Sequence, residues 1–389
     1  MPELTLVEAL ATPYQTPTGT AASFDDPDRR LSFQQIFDTR LAPYLPDGLI
    51  RFADWQRLDA AYRDVIAHPP FILSGMLHLD DHAFLENDAL PVNMARREAL
   101  IGGAIGWGTD YAAWYIDDHR LKRVIDTWPL SKGLRSVIKN PALLRPLPPA
   151  IIMSCPGHDI YGHWLIDILP RLTSLRHPSI DRLPILLNLV PTWAGFFLEA
   201  LDIDPGRVRR HPGRFFSLEQ ALLPTMCKTG SALAPRLLRE AWDLVLAHYQ
   251  RNPLPGPPSP KIFLSRSRWG LRMRDFADRD TIDQHMIRRG YRVVHPQDLA
   301  VREQIALMQG ARIVVGEDGS ALHNVAFCRP GAALGVLSTP ERDNLYHFSI
   351  CQIRGHKVGY CPVADGLSDD AAATVLDDFL DVLEAEADL

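Results

Sequence analysis

From Ala311 to Phe327 the chain reads Ala-Arg-Ile-Val-Val-Gly-Glu-Asp-Gly-Ser-Ala-Leu-His-Asn-Val-Ala-Phe. It predicts a short buried strand over Ile313 to Val315, a sharp turn over Gly316 to Gly319, and a helix that opens at Ser320. Such a turn directs backbone N–H groups and the positive end of a helix dipole at one point. This geometry suits a phosphate or diphosphate, although an ordinary strand-to-helix crossover explains the same residues.

Strands and helices alternate on both sides of this stretch. Asp280 is typical of a helix N-cap, and Gly290 and Gly310 are typical of helix ends. The alternation predicts a parallel sheet wrapped by helices, whose ligands bind at the carboxyl ends of the strands. The predicted strands are Lys261–Ser265, Tyr291–Val294 and Leu334–Leu337, and the predicted helices are Asp280–Arg289 and a helix ending near Gly310.

Arginines follow the first of these strands. Ser265-Arg266-Ser267-Arg268 stands directly after it, at the same edge of the sheet as the turn over Gly316 to Gly319. Guanidinium groups and backbone amides at one edge are what an anionic nucleotide requires. The sequence therefore predicts a nucleotide site at this edge.

A second alternating region begins at Ala150 and contains a histidine and an aspartate at helical spacing. His163 and Asp167 are four residues apart near the start of a predicted helix, so they share one face. Asp167 can orient the imidazole, and His163 can take a proton from an acceptor hydroxyl. A histidine that caps or packs, beside a solvated Asp167, explains the same spacing. The predicted elements are strand Ala150–Cys155, helix Gly162–Arg176, strand Pro184–Leu189, helix Trp193–Leu201, strands Val208–His211 and Ala221–Pro224, and helix Ala232–Gln250.

A proline-rich segment separates the two alternating regions. Residues 252–260 contain five prolines, which neither continue a helix nor pair within a sheet, so we predict a stiff linker. The predicted organisation is an irregular N-terminal arm (1–45), an N-terminal domain with a Rossmann-like core from about 150 (46–251), the linker (252–260), a C-terminal Rossmann-like domain (261–366) and a C-terminal amphipathic helix (367–389) with Val375, Leu376, Phe379, Leu380 and Leu383 on its apolar face.

Length and composition point to a soluble globular protein with two domains. The chain has 389 residues, of which 46% are hydrophobic and 23% are charged, and this length allows two sizeable cores. The formal net charge of −6, without a long basic stripe, argues against a general nucleic-acid-binding protein.

The location that the sequence predicts is the cytoplasm. The most apolar stretch, Ala99 to Ile116, is interrupted by four glycines, Thr109 and Asp110, which is unfavourable for a membrane span. The first residues lack the basic and apolar regions of a signal peptide. The five cysteines have no CxxC spacing, so we expect buried thiols in a reducing compartment.

Three segments of the chain form a series that resembles one known family. The first is His163-Trp-Leu-Ile-Asp-Ile-Leu-Pro-Arg-Leu172, the second is Leu264-Ser-Arg-Ser-Arg268 with Arg274 and Asp278-Arg-Asp280, and the third is Glu303-Gln-Ile305 with Ala311–Gly316 and Gly319–Asn324. In this order they resemble glycosyltransferase family 61, which includes plant xylosyl- and arabinosyltransferases and animal protein O-linked N-acetylglucosaminyltransferases. The resemblance covers about 150 to 340 and is to the bacterial-type members, many of which make polysaccharides.

The resemblance implies a GT-B architecture, in which two Rossmann-like halves face a cleft. It also implies an inverting, metal-independent transfer from a nucleotide sugar, such as a UDP-sugar, to a hydroxyl of a glycan or other acceptor, with no other cofactor. The N-terminal half then presents the acceptor, and His163 and Asp167 are the catalytic residues. The C-terminal half binds the donor, and its predicted contacts are Arg266, Arg274, Gly319, Ser320, His323 and Asn324.

Two positions depart from the family's pattern. Members often have a histidine where this chain has Asp318, next to Glu317, and often an asparagine where it has Asp278. Because two carboxylates do not donate to a phosphate, we expect any direct contact there to come from backbone amides or from His323.

Two other classes of protein remain open. His78-Leu-Asp-Asp-His82 and Asp117-Asp-His119 contain metal-ligand types, and with His158 and His163 they would suffice for a metal-dependent hydrolase. Neither run has a partner at a recognised spacing, and Asp-Asp pairs between apolar runs are typical of turns. A non-catalytic nucleotide- or sugar-binding module would need the glycine turn but neither His163 nor Asp167.

Overall fold

The structure is a computed structural model. In it the chain forms two compact units. One unit comprises residues 1–40, 71–194 and 202–230, and the other comprises 41–70, 195–201 and 231–389. The residues that the structure describes are 5–8, 23–40, 48–50, 52, 71–85, 89–93, 95–96, 98–101, 106, 145–175, 182–211, 215–229, 232–254, 260–268, 279–338, 345–363 and 370–387.

The strands each lie within one of the two units. In the first unit they are β1 Thr5–Glu8, β2 Ser23–Asp26, β3 Leu31–Arg40, β4 Phe71–Asp80, β5 Ala83–Leu85, β6 Leu90–Asn93, β7 Glu98–Ile101, β8 Ala150–Ile152, β9 Ile185–Leu187, β10 Val208–Arg210, β11 Phe215–Ser217, β12 Gln220–Pro224 and β13 Lys228–Thr229. In the second unit they are β14 Ala232–Leu233, β15 Lys261–Leu264, β16 Arg292–Val294, β17 Ile313–Glu317, β18 Ala333–Ser338 and β19 Lys357–Pro362.

The helices include three types. The α-helices are α1 Tyr161–His163, α2 Leu169–Ser174, α3 Ala194–Ala200, α4 Pro235–Gln250, α5 Arg279–Arg288, α6 Val301–Gly310, α7 Tyr346–Arg354 and α8 Asp370–Glu386. A π-helical segment covers Trp164–Ile168, and 3₁₀ segments cover Pro205–Arg207, Pro296–Asp298 and Ser320–Phe327. None of the helices in the described ranges has both the length and the apolar content that a membrane span requires.

The sheet of the second unit is parallel throughout, in the order β16-β15-β17-β18-β19. The central strands β17 and β18 are buried along their whole length, as expected for a parallel sheet covered on both faces. Numbered from its first strand this order is 2-1-3-4-5, the doubly wound order whose ligands bind between the first and third strands. The predicted parallel sheet is therefore confirmed, and its ligand position is at the carboxyl ends of β15 and β17.

The C-terminal helix α8 packs into the core of this unit. Ile50 and Phe52 pack against the same core, and Leu49 forms a parallel bridge to Val358 of β19. The predicted apolar face is confirmed except at Val375, which is 39% exposed. The residues of the face that are buried are Leu376, Phe379, Leu380 and Leu383.

The main sheet of the first unit is mixed, in the order β10-β9-β8-β12-β4-β3-β2. Its strands from β10 to β12 pair in parallel, which agrees with the alternation predicted after residue 150. Strands β4, β3 and β2 extend the sheet with antiparallel pairs. Only one half of this sheet therefore has Rossmann-like pairing. A second sheet has the order β1-β7-β6-β5-β11.

The structure differs from the irregular arm predicted for residues 1–45, because three strands lie within this range. Strand β3 changes register against β4 between Gln35 and Phe37. An extra residue at such a bulge breaks the alternation of apolar and polar residues by which a strand is recognised.

Two predicted helices also differ in detail. The helix predicted from Ala232 begins instead at Pro235, because proline suits the first helical turn, and β14 precedes it. The helix that opens at Ser320 is a 3₁₀ helix. The five cysteines are confirmed as buried free thiols. Residues 255–259 of the predicted linker lie outside the described residues.

Candidate functional site

His163 lies on a helix that follows β8 through a tight turn. Leu169 donates its N–H to the carbonyl of Trp164, five residues earlier, within the π-helical segment. Pro170 accounts for this widening, because proline has no N–H and its ring collides with the carbonyl four residues before it. π-Helical turns inside α-helices are frequent at functional sites.

His163 and Asp167 contact each other directly. Nδ1 of His163 lies 2.6 Å from Oδ2 of Asp167, and the side chains are 33% and 1% exposed. Because an ionised carboxylate only accepts hydrogen bonds, Nδ1 carries the hydrogen and Nε2 is the basic ring nitrogen. The structure therefore brings the two predicted catalytic residues together.

Lys228, on β13, is a third member of this cluster. Its Nζ lies 2.8 Å from Oδ2 of Asp167, the oxygen that also contacts His163, and equally close to Oδ1. Burial raises the pKa of the Asp167 carboxyl, but Lys228 and then His163 outweigh burial, so the pKa lies below its usual value. Asp167 is therefore an ionised carboxylate between a cation and an imidazole. These three residues are called the His163 cluster below.

Gly157 sets the position of the His163 ring. Its φ of +81° is in the left-handed region, which favours glycine. A Cβ at this position would lie 2.8 Å from Cδ2 and 3.0 Å from Nε2 of His163. The imidazole therefore packs against Gly157 so closely that any residue with a Cβ would clash with the ring.

Arg171 connects the cluster's helix to the sheet. The side chain is 2% exposed, and it donates to the carbonyls of Pro224 at 2.8 Å and Met153 at 3.1 Å. These carbonyls stand at the carboxyl ends of β12 and β8. Arg171 thus ties together the strand ends from which the Gly157 turn and Lys228 follow.

The second predicted site lies in the other unit, after β15 and β17. Arg266 is half-buried, and its Nη1 donates to the backbone carbonyl of Asp318 at 3.3 Å. Gly319 and Ser320 follow Asp318 and open the 3₁₀ helix. The structure therefore brings these three predicted residues together at the carboxyl ends of adjacent strands, where the strand order reverses.

The acidic pair in this turn has partners within the unit. Arg279 donates to both carboxylate oxygens of Glu317, with contacts of 2.8 and 2.9 Å. Nε2 of His347 lies 2.9 Å from Oδ1 of Asp318. Both carboxylates are buried, so they interact with Arg279 and His347 and not with solvent. The unusual acidic pair is consequently compatible with an anion at the backbone of the turn.

His323 and Asn324, two other predicted donor contacts, are buried. His323 is 5% exposed, and its ring centroid is 5.3 Å from that of His347. The Asn324 amide donates to Oε1 of Gln304 at 2.8 Å and is 1% exposed, so it holds the 3₁₀ helix against α6. Arg274 and Asp278 lie outside the described residues.

The structure describes only part of the possible metal site, namely residues 78–82, His158 and His163. His82 is buried and its Nδ1 lies 2.9 Å from the Asp80 carbonyl, while His158 is buried with Nδ1 3.0 Å from the Cys155 carbonyl. The described ranges contain no group of three or more His, Cys, Asp or Glu side chains that could hold a metal ion. Residues 117–119 lie outside those ranges.

Sequence patterns did not predict Lys228, Gly157 or the partners of the acidic pair. The available signal for Lys228 was a single charge directly after the buried run Ala221–Cys227. For Gly157 it was a Pro-Gly turn between a strand and the predicted catalytic helix.

A sequence profile of the family described as Glycosyltransferase 61 matches residues 161–335. The matched segment starts at the first residue of α1 and reaches into β18, so it contains His163, Asp167, Lys228, Arg266 and the turn after β17. The match supports the family predicted from the three segments and indicates a glycosyltransferase, with a sugar donor and an acceptor as its partners. No curated protein matches the chain.

Proposed function

We propose that this chain is an inverting glycosyltransferase of family 61 that moves a sugar from a nucleotide-sugar donor to a hydroxyl acceptor. The match over residues 161–335 supports the transferase class. The observation on which the reaction depends most is the 2.6 Å contact between Nδ1 of His163 and Asp167. A UDP-sugar as donor, a GT-B arrangement, independence of metal and a cytoplasmic place in polysaccharide biosynthesis are parts of the same proposal.

Exposure and charge favour His163 as the general base. His158 is 3% exposed, and its Nδ1 bonds a backbone carbonyl in the turn. The Asp167 carboxylate is fully buried with a lowered pKa, which makes it a weak base. His163 is 33% exposed and presents its second nitrogen, so it satisfies the geometric requirement for proton transfer better than either neighbour.

The second unit supplies the groups for the leaving diphosphate. Arg266 is half-buried beside the turn after β17, where Gly319 and Ser320 offer backbone amides. A guanidinium and amides directed at developing negative charge stabilise a leaving group, and the loss of one such group typically costs about 3 kcal/mol in the transition state. In this proposal Asn324 holds the 3₁₀ helix in place, and His323 lines the turn.

The proposed reaction is a single displacement. Nε2 of His163 takes the proton of the acceptor hydroxyl, and Asp167 stabilises the resulting cation. The acceptor oxygen forms a bond to the anomeric carbon from the face opposite the nucleotide. The bond between that carbon and the donor phosphate breaks, and the nucleoside diphosphate leaves with the electron pair.

Donor binding tests the proposal first. We expect a UDP- or GDP-sugar, UDP-sugars above all, to raise the melting temperature, because a ligand that binds only the folded state stabilises it. Arg266→Ala should weaken the binding of the corresponding nucleoside diphosphate at least tenfold in calorimetry, because a charge-assisted contact is lost. Its matched control is Arg268→Ala in the same loop, since the Arg268 side chain is 68% exposed and contacts Asp298.

These measurements test the role of Arg266 and the proposed function separately. If Arg266→Ala and Arg268→Ala bind equally well, Arg266 is not a diphosphate contact. If no nucleotide sugar binds and no nucleoside diphosphate is released on incubation with candidate acceptors, the chain is not a nucleotide-sugar-dependent transferase.

A further inference from the structure

We infer that Lys228 is a positioning residue that competes with His163 for the Asp167 carboxylate and so opposes protonation of the imidazole. This inference rests on the proposed function, since an unprotonated imidazole is the form that accepts the acceptor's proton. It assigns Lys228 neither to donor nor to acceptor binding. Its effect is on the proton of the base.

The geometry places a permanent cation very close to the imidazole. Nζ of Lys228 and Nδ1 of His163 contact the same oxygen of Asp167, at 2.8 and 2.6 Å. The two nitrogens are therefore no more than about 5.4 Å apart. The Lys228 side chain is 17% exposed and that of Asp167 is 1% exposed, so water screens this interaction only partly.

The charges around the imidazole explain the direction of the effect. Arg171 is buried beside the cluster and donates only to backbone carbonyls among its described hydrogen bonds. With neutral His163, the cluster and Arg171 contain two positive charges and one negative charge. A protonated His163 would add a third positive charge around a single carboxylate, which is unfavourable in a partly buried site.

The other ionisable groups that the structure describes near His163 do not reverse this balance. Burial, only partly offset by Arg171, raises the pKa of the Cys227 thiol to about 12, so the thiol is neutral. His158 is buried and its Nδ1 bonds the Cys155 carbonyl, and Asp159 is exposed. Within the described residues, Asp167 is thus the buried anion at His163, and Lys228 shares it.

Removing the lysine charge should make His163 easier to protonate. Two unit charges about 5 Å apart in a partly screened site shift a titration by on the order of one pH unit, a tenfold change in protonation. We therefore expect the Lys228→Met titration midpoint of His163 to rise by about one pH unit. Lys228→Arg keeps the charge and should leave the midpoint near its wild-type position.

Nuclear magnetic resonance of the full chain measures this midpoint directly. Protein labelled with ¹³C-histidine is titrated over about pH 5 to 9, and the signal of His163 among the 14 histidines is identified by its disappearance in His163→Gln. Circular dichroism checks the fold of each variant. Lys228→Gln, which keeps a donor toward the carboxylate without its charge, replaces Lys228→Met where the latter does not fold.

The result that supports the inference is an upward shift in the neutral variants and none in Lys228→Arg. The acid limb of the pH profile of sugar transfer should move with it. An unchanged midpoint in the neutral variants overturns the inference, as does an equal shift in Lys228→Arg. The titration does not need a turnover, so an inactive wild-type protein with the expected shift would refute the proposed function and leave the role of Lys228 intact.

Discussion

Replacement of Gly157 by alanine separates the placement of His163 from the general stability of the fold. Two effects add at this position. Alanine at a φ of +81° costs about 1 kcal/mol. The new Cβ would also lie 2.8 Å from the imidazole, so the ring must turn away, and the hydrogen bond to Asp167 is lost at a cost of about 1.5 to 3 kcal/mol.

Gly290→Ala is the matched control for the first effect. Gly290 has a φ of +80°, and no atom lies within 4 Å of an added Cβ. We therefore expect Gly290→Ala to lower the free energy of unfolding by about 1 kcal/mol, with no change in sugar transfer. Gly157→Ala should lower it by about 2.5 to 4 kcal/mol and reduce transfer by about 100-fold, because a base displaced by about 1 Å loses its alignment.

Chemical denaturation and a transfer assay on the same preparations test this difference. If both glycine variants lose the same stability, the contact between Gly157 and the His163 ring has no energetic consequence. If Gly157→Ala keeps wild-type transfer, the imidazole does not need the position seen in the structure, and the argument for His163 as base fails at its geometric step.

Two further predictions concern stability. Arg279→Ala should lower the free energy of unfolding by about 3 to 5 kcal/mol, because it leaves the buried Glu317 carboxylate unpaired. Arg268→Ala removes an exposed ion pair and should change this free energy by less than about 0.5 kcal/mol. Equal losses of the two variants in denaturant titrations would contradict this prediction. Burial, aided by Arg354, lowers the pKa of His356 from 6.5 to about 4. The unfolded chain therefore binds a proton at His356 at a higher pH than the folded chain does. The contribution of His356 to the free energy of unfolding is complete above about pH 6.5 and falls by about 3 kcal/mol as the pH drops to 4. His356→Gln should lack that part of the loss in melts between pH 7 and 4, and an unchanged pH dependence would exclude it.

The parallel sheet of the second unit follows from local patterns. Its predicted strands are short apolar runs, and its helices end at or near Gly290 and Gly310, so each element is recognisable from a few neighbouring residues. Strand β19 was not predicted, because Lys357–Pro362 contains a glycine and no continuous apolar run. It is a strand because β18 supplies a partner over its whole length.

The first unit depends on pairings between distant parts of the chain. Strand β4 pairs with β3 and also with β12, and no local pattern predicts which strands become neighbours. The bulge in β3 further obscures its alternation. The parallel half from β8 to β12 was recognisable because its strands alternate with helices.

The same distinction applies to the candidate site. His163 and Asp167 are four residues apart, so their contact follows from helical spacing alone. Lys228 reaches Asp167 from 61 residues away, because the sheet places the end of β12 beside the helix. Arg279 and His347 likewise meet the acidic pair through tertiary packing. Sequence spacing therefore predicts the local pair, and the fold supplies the charges that adjust it.

The role of His163 as the general base is tested by measuring sugar transfer by His163→Ala together with its affinity for the donor nucleotide. We expect a loss of transfer of at least about 100-fold, the usual contribution of a general base, with nucleoside-diphosphate affinity close to wild type in calorimetry. Asp167→Asn should cause a smaller but still large loss, because the imidazole remains without its partner charge. Full turnover by a folded His163→Ala protein would show that His163 is not the base and that the histidine is structural.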